Sequence, residues 1–186
     1  MRKLTVFNHI SLDGYFVNAD GDMSWAHRGS DDPEYQAFVS GNASGDSEML
    51  FGRVTYDMMA SFWPTPVAHQ QMPIVADKMN NGRKVVFSRK MDKAIWNNTK
   101  LVKGDLIEEV KKMKAEESPD MVIMGSGSIV AQLAAAGLID TYLIVVNPVA
   151  LGSGRTLFEG LPDMLSLKLK SSRAFANGKT FLTYEA

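Results

Sequence analysis

The sequence lacks cysteine altogether and contains only three histidines. Without cysteine, the chain cannot form a disulfide scaffold, use a thiol nucleophile or bind zinc through thiolates. The three histidines do not form the closely spaced pairs, such as HxH or HExxH, that bind metals in many enzymes. The sequence therefore predicts no metal site.

Neither sign of charge is in excess, because 20 Lys and Arg residues stand against 21 Asp and Glu residues. Proteins that bind nucleic acid or a membrane surface usually carry a basic excess, so we expect neither partner. No stretch approaches the roughly 18 apolar residues of a membrane-spanning helix, and the N-terminus has no signal-peptide pattern. We expect a cytoplasmic protein, with residues 1–186 forming a single domain.

What the sequence does contain is a recurrent pattern, clearest in residues 121–140. Met121–Met124 is a short apolar run of the kind that forms a buried strand. Gly125–Ser128 interrupts it, and Ile129 and Leu133 then recur at helical spacing in an alanine-rich segment. A glycine turn at a helix N-terminus lets backbone amides approach a phosphate, so this stretch is a candidate anion site.

Two other predicted strands end in a similar way. Residues 47–52 end at Gly52 and run directly into a helix that begins with Arg53. Residues 84–88, a β-branched strand, end at Ser88. Because ligands of α/β sheets bind at the carboxyl ends of the strands, the three ends together favour a nucleotide-type ligand.

The order of the predicted elements indicates an α/β fold. Strands are predicted at 4–11, 47–52, 84–88, 100–102, 121–124 and 138–146. Helices are predicted after Pro33, from Arg53, around 75–80, over 105–117 and from Ile129. Two alternating segments, 165–175 and 179–185, flank Asn177-Gly178, a strong hairpin signal. We therefore predict a mostly parallel central sheet with helices on both faces, in three layers, and a C-terminal antiparallel hairpin.

The three strand ends resemble a known family when they are considered together. Gly52-Arg53-Val54-Thr55-Tyr56 is similar to the G-R-x-T-[YW] motif of the dihydrofolate reductase fold. Val86-Phe87-Ser88-Arg89 is similar to the strand end that binds the adenosine 2′-phosphate of NADPH in that fold. Gly125-Ser126-Gly127-Ser128 lies where those enzymes carry a glycine pair beneath the pyrophosphate, with Ser126 replacing the second glycine.

Two further motifs resemble one branch of this fold. They are Ser11-Leu12-Asp13-Gly14-Tyr15 after the first strand and the glycine-rich segment 147–154, followed by Leu157-Phe158. Both are similar to the reductase domain of the bifunctional riboflavin-biosynthesis deaminase-reductase, and to small stand-alone bacterial proteins related to it. The resemblance implies a dihydrofolate reductase-like fold and NADPH as the cofactor.

The resemblance also implies which residues bind the cofactor. Ser88 and Arg89 supply a hydroxyl and a permanent positive charge, which a preference for NADPH over NADH requires. The nicotinamide is expected near Asn8 and His9. The full set of implied cofactor residues is Asn8, His9, Val17, Gly21, Gly52, Arg53, Thr55, Phe87, Ser88, Arg89, Gly125, Ser126, Gly127, Ser128 and Ile129.

The catalytic and substrate-binding candidates are five residues elsewhere in the chain. Glu34 lies near the position of the acidic residue that holds the pterin in dihydrofolate reductases, or it is a first-turn carboxylate stabilised by the helix dipole. Asp13 either orients the substrate or handles a proton, or it simply forms an Asp-Gly turn. Trp25, Phe38 and Arg155 are the candidates for substrate binding, with core packing as the alternative for Trp25.

The leading hypothesis is an NADPH-dependent reductase resembling 5-amino-6-(5-phosphoribosylamino)uracil reductase, acting on a small molecule. One alternative is a divergent dihydrofolate reductase. Another is a non-catalytic NADP-binding or dimerisation module. The related reductase domains further suggest a homodimer, formed through the apolar segment 138–146 and the C-terminal hairpin, although the same residues are equally explained as core.

Overall fold

The computed structural model describes residues 1–29, 31–43 and 45–186. The strands in these ranges are β1 (Leu4–Ser11), β2 (Tyr15–Val17), β3 (Glu48–Gly52), β4 (Lys84–Phe87), β5 (Thr99–Val102), β6 (Met121–Met124), β7 (Thr141–Asn147), β8 (Arg155–Thr156), β9 (Lys168–Ala174) and β10 (Thr180–Glu185). The α-helices are α1 (Pro33–Ala43), α2 (Arg53–Phe62), α3 (Pro66–Gln71), α4 (Pro73–Asn81), α5 (Leu106–Ala115) and α6 (Gly127–Ala135). A 3-10 helix spans Ser24–His27.

Eight strands form one sheet in the order β5-β4-β3-β6-β1-β7-β10-β9. The pairs from β5 to β7 are parallel, whereas β10 pairs antiparallel with both β7 and β9. The predicted α/β class, the mostly parallel sheet and the antiparallel C-terminal hairpin are confirmed. The boundaries predicted for β1 and β6 are also the observed ones.

The sheet lies between two helical layers, because alternate residues of each strand point to opposite faces. Leu50 of β3 packs into one core with Leu133 of α6 and with residues of α5. Its neighbour Phe51 packs into the other core, with Tyr56 of α2 and Val75 of α4. The strands that carry the site are therefore covered on both faces, as parallel strands require.

The largest differences from the prediction concern four elements. The strand predicted at 138–146 begins only at Thr141, because Gly137 adopts a φ of 65° and the Leu138 amide donates to the Leu133 carbonyl, which closes α6. Residues 66–71 form α3, whose N-cap Thr65 accepts from the Ala68 amide. Strands β2 and β8, which were not among the predicted strands, pair with each other.

No helix in the described ranges is long and apolar enough to cross a membrane. Strand β7, which was predicted to offer a dimer surface, lies inside the sheet between β1 and β10. The outer edge is β9, and all seven of its residues are exposed.

Candidate cofactor and substrate cleft

A cleft of about 620 Å³ opens at the carboxyl ends of β4, β3, β6 and β1. Its volume lies in the range of small-molecule sites. Every residue implied by resemblance for the cofactor lines this cleft: Asn8, His9, Val17, Gly21, Gly52, Arg53, Thr55, Phe87, Ser88, Arg89, Gly125, Ser126, Gly127, Ser128 and Ile129. Of the substrate candidates, Arg155 also lines it. Fifteen positions from separate motifs thus surround one space.

The turn between β6 and α6 leaves backbone amides free to bind an anion. Gly125 and Ser126 have φ angles of 80° and 83°, and the Ser126 side chain does not cap α6. The Ser126 carbonyl accepts from the amides of Ile129 and Val130. As the first residues of the helix, Gly127 and Ser128 have no intrahelical acceptor for their amides. The replacement of glycine by Ser126 therefore leaves this anion site open.

Helix α2 begins beside the same turn. Its N-cap is Gly52, it has no side-chain cap and its first turn carries no acidic residue. A Cβ built on Gly52 would lie 2.0 Å from the Ser126 Oγ, so the two turns are in direct contact. Arg53 forms an ion pair with Asp57 at 3.1 Å and remains about half exposed. Two uncapped helix N-termini and a guanidinium therefore converge at one point, which favours a doubly charged anion such as a pyrophosphate.

The end of β4 offers a second anion site. The Ser88 amide donates to the Val102 carbonyl, and the Ser88 Oγ accepts from the amides of Lys90 and Met91. These bonds fix the hydroxyl and leave its proton for an acceptor in the cleft. Arg89 is exposed and has no ion pair within the described ranges. A fixed hydroxyl beside an unpaired guanidinium is suited to a phosphate monoester.

The end of β1 contains an unsatisfied amide. Asn8 is 5% exposed, and its Oδ1 is the one buried side-chain polar atom without a hydrogen-bond partner among the described residues. A buried unpaired acceptor costs free energy, so such an atom is usually completed by a ligand or water. The carboxamide of a nicotinamide carries the N–H donor that this oxygen lacks. The cleft residues therefore fit NADPH at both its charged and its uncharged ends.

His9 belongs to a hydrogen-bonded chain that reaches the cleft. Its Nδ1 lies 3.4 Å from the Asn147 Nδ2, and its Nε2 lies 3.3 Å from the Tyr35 hydroxyl. Burial, together with the nearby Lys179 cation, lowers the His9 pKa to about 3. Because the Asn147 Nδ2 can only donate, the facing Nδ1 is assigned as an acceptor, and this assignment places the ring proton on Nε2, toward Tyr35. The Tyr35 hydroxyl is then free to donate into the cleft.

Lys179 and Asn147 hold these hydrogen-bonded side chains in place. The Lys179 Nζ donates to the Asn147 Oδ1 and to the Ala26 carbonyl, each at 2.6 Å. Burial lowers the Lys179 pKa to about 8. The Asn147 amide also donates to the Ile10 carbonyl at 3.0 Å. The sequence did not indicate this arrangement, because its members come from distant segments and match no motif.

The rest of the cleft lies between α1, α2 and α4 and is apolar. Its walls are formed by Val39, Met59, Trp63, Met72 and Val75. The sequence analysis missed these residues. A signal was present in the helical spacing of Tyr35 with Val39 and of Met59 with Trp63, but the same spacing also describes ordinary core.

The two residues predicted to be catalytic do not line the cleft. The Asp13 carboxylate accepts from the Ser11 hydroxyl at 2.6 Å and from the amides of Leu151 and Gly152. These bonds lower the Asp13 pKa to about 2. Glu34 forms an ion pair with Arg173 of β9 at 2.7 Å. Asp13 therefore fixes the loop that follows β7, and Glu34 links α1 to the edge strand.

Trp25 and Phe38, predicted to bind substrate, also lie outside the lining. Trp25 is buried, and its indole donates to the Asp22 carbonyl at 3.2 Å. The Phe38 ring packs against those of Phe175 and Phe181, with centroids 5.1 and 4.6 Å away. The core alternative considered for Trp25 describes what is observed for both residues.

We expect the Asp13→Ala variant to loosen the segment 147–152 without changing the walls of the cleft. Hydrogen exchange at the Leu151 and Gly152 amides should become at least tenfold faster, because both lose their acceptor. In the wild type the protection should disappear as pH falls from the ordinary pKa of 3.8 toward about 2. Asp20→Ala, an exposed carboxylate in the neighbouring loop, is the matched control. Unchanged exchange in Asp13→Ala would contradict the structural role.

Within the described ranges, no cluster of three or more His, Asp or Glu residues is arranged to hold a metal ion.

The family model described as RibD C-terminal domain matches residues 2–181. Two uncharacterised Bacillus subtilis proteins are similar over most of their length. YyaP is 25% identical over 183 residues, which cover 98% of this chain and 94% of YyaP. YwjB is 28% identical over 176 residues, with 94% and 92% covered.

Solved structures share the fold. A protein from Shewanella sp. PV-4, named for riboflavin biosynthesis, has a TM-score of 0.74 at 26% identity, with 98% of each chain covered. A pyrimidine reductase-like protein from Corynebacterium diphtheriae has a TM-score of 0.65 at 13% identity, with 99% of this chain and 91% of that chain covered. The Thermotoga maritima diaminohydroxyphosphoribosylaminopyrimidine deaminase/5-amino-6-(5-phosphoribosylamino)uracil reductase has a TM-score of 0.69 at 13% identity, with 99% and 56% covered.

Proposed function

Because this chain belongs to the RibD C-terminal domain family, we propose that it is an NADPH-dependent reductase of a small carbonyl or imine compound. The observation that carries the proposal is the convergence of two uncapped helix N-termini, an unpaired Arg89 and an unsatisfied Asn8 in one cleft. Within the described ranges each of these groups lacks a partner of the kind that NADPH carries.

The proposed roles follow from the chemistry of each part of the cleft. Ser88 and Arg89 would hold the 2′-phosphate, and the turns at Gly52 and Gly125 would hold the pyrophosphate. Asn8 would accept a hydrogen bond from the carboxamide. When bound, NADPH supplies a hydride to the substrate carbon. The apolar walls between α1, α2 and α4 exclude water from the part of the cleft that they line.

Tyr35 is the proposed hydrogen-bond donor to the substrate. Burial raises its pKa, so the hydroxyl stays protonated at neutral pH. With the ring proton assigned to Nε2, His9 would donate to the Tyr35 oxygen at 3.3 Å and leave the O–H available to the cleft. A donor held in place can stabilise charge that develops on a carbonyl oxygen or imine nitrogen during reduction. Glu34, the support for a folate substrate, pairs with Arg173 and does not line the cleft, so we do not propose dihydrofolate reductase activity.

A nucleotide titration tests the cofactor assignment. We expect NADPH to bind at least tenfold more tightly than NADH, measured by nicotinamide fluorescence. The Arg89→Ala variant should weaken NADPH binding by about tenfold or more, since a charged hydrogen bond contributes roughly 1.5–3 kcal/mol. NADH binding should not change. Lys90→Ala, the next exposed cation along the chain, is the control. Failure of both nucleotides to bind at high micromolar concentration would overturn the proposed function.

The predicted homodimer remains a proposal. The fully exposed strand β9 supports it, because an open sheet edge can pair with a second copy. A mass measurement in solution would distinguish a dimer from a monomer.

A further inference from the structure

The half of the cleft next to His9 is lined by carbon and sulfur rather than by charged groups. Five methionines line the cleft: Met23, Met58, Met59, Met72 and Met124. Methionine is flexible and polarizable, so such walls adapt to flat rings of differing outline. Trp63 adds an aromatic face. The walls of this half therefore favour an apolar ligand.

The polar groups at this end are neutral. Burial and the nearby Lys179 keep the His9 imidazole uncharged at neutral pH by lowering its pKa to about 3. Burial also lowers the His27 pKa. Tyr35 stays protonated because burial raises its pKa. Together they offer hydrogen bonds to a carbonyl or imine without offering a counter-charge.

The cations near the cleft are placed elsewhere. Arg53 and Arg89 follow β3 and β4, in the half that fits the phosphates of the cofactor. Arg155 lies over the Phe16 ring at 5.8 Å, and Phe16 covers Gly127 at the start of α6. The buried Lys179 donates to two protein oxygens. A phosphate or carboxylate buried among the methionines would have no cationic partner in the described ranges, which is strongly unfavourable.

The apolar surface continues onto the rim. Val54 and Met58 follow one another at helical spacing on α2, line the cleft, and are 66% and 39% exposed. An exposed apolar pair at the mouth of a site indicates that what enters is itself apolar.

We infer that the substrate is an uncharged, flat and mainly apolar carbonyl or imine compound that carries neither phosphate nor carboxylate. This inference rests on the proposed reductase function and departs from the phosphoribosyl substrate named for the Thermotoga maritima neighbour. The reduction forms a C–H bond at the carbonyl or imine carbon and an O–H or N–H bond at the heteroatom, with the proton drawn from water. NADPH is oxidised to NADP⁺.

A matched pair of ligands tests the charge preference. 2-Acetylnaphthalene and 6-acetyl-2-naphthoic acid differ by one carboxylate, and their binding can be measured by calorimetry with and without saturating NADP⁺. We expect the neutral ketone to bind at least tenfold more tightly in both conditions. Equal or tighter binding of the acid, or no binding of the neutral ketone, overturns the inference.

A charge-introducing variant sharpens the test. Met72→Lys places a cation in the apolar half, and it should strengthen binding of the acid at least tenfold relative to the wild type. The wild-type ratio decides the question even if this variant does not fold. NADPH binding, followed separately, tests the proposed function: its absence would sink that proposal, whereas the ketone pair without nucleotide still reports on the charge preference.

Discussion

The Gly52→Ala variant is expected to lose NADPH affinity by one to two orders of magnitude. The new Cβ would lie 2.0 Å from the Ser126 Oγ and 3.0 Å from the Ser126 Cβ, distances that require the Ser126 side chain to change its rotamer and its Cβ to shift. Overpacking of this kind costs about 1–3 kcal/mol, which corresponds to roughly 5- to 150-fold in affinity. Displacing Ser126 also displaces the amides of Gly127 and Ser128. Titration with NADPH and thermal unfolding measure the two effects.

A second substitution should reverse the loss. In Gly52→Ala/Ser126→Gly the clashing side chain is gone, and glycine adopts the φ of 83° at position 126 without strain. We expect the double variant to regain most of the affinity, which gives a large coupling energy between the two positions. Gly41→Ala is the control, because a Cβ there meets nothing within 4 Å. A double variant as weak as Gly52→Ala alone would contradict the role assigned to this contact.

The second large expected effect is a decrease in the free energy of unfolding at acidic pH, which is due to His9. In the unfolded chain His9 takes up a proton near pH 6.5, but in the folded protein burial delays protonation to about pH 3. The unfolded state therefore binds more protons throughout this window, and the free energy of unfolding falls as pH decreases. The expected slope is about 1.4 kcal/mol per pH unit. Above pH 6.5 the contribution is constant.

The His9→Gln variant isolates this contribution, since glutamine does not titrate and the other acidic groups are retained. We compare the free energy of unfolding of the wild type with that of the variant at each pH. Relative to the variant, the wild type should be about 3 kcal/mol less stable at pH 4 than at pH 7. Urea unfolding at pH 7, 6, 5 and 4 supplies the data. Parallel curves for the two proteins would mean that His9 is protonated equally in the folded and unfolded states.

The sheet and the half of the cleft at the ends of β3, β4 and β6 were predictable because local signals specify them. An apolar run such as 121–124 can only be a buried strand or a helix, and Gly125 decides in favour of a short strand. Residues at the ends of parallel strands meet at one edge whatever their distance along the chain. Gly52, Ser88 and Gly125 therefore predicted a shared cleft without any knowledge of side-chain contacts.

The substrate half was not predictable, because it depends on which partners distant side chains find. Asp13 and Glu34 were candidates for catalysis from their positions near β1 and α1. The first is bonded to amides 138 and 139 residues away, and the second pairs with Arg173. Conversely, nothing near His9 in the sequence indicates Asn147 or Lys179. Tertiary contacts of this kind determine whether a carboxylate is available for catalysis or links two segments of the structure.

The position of β1 in the sheet has a consequence for how the protein is made. Among the strands of this sheet β1 is synthesised first. Its two neighbours, β6 and β7, lie more than a hundred residues later in the chain. At about 5–20 residues per second of synthesis, it waits roughly 6–25 s for them. During that time an apolar strand has two open edges, a state prone to aggregation. The yield of folded protein should therefore depend more on the growth temperature and the chaperone supply than on the stability of the folded state.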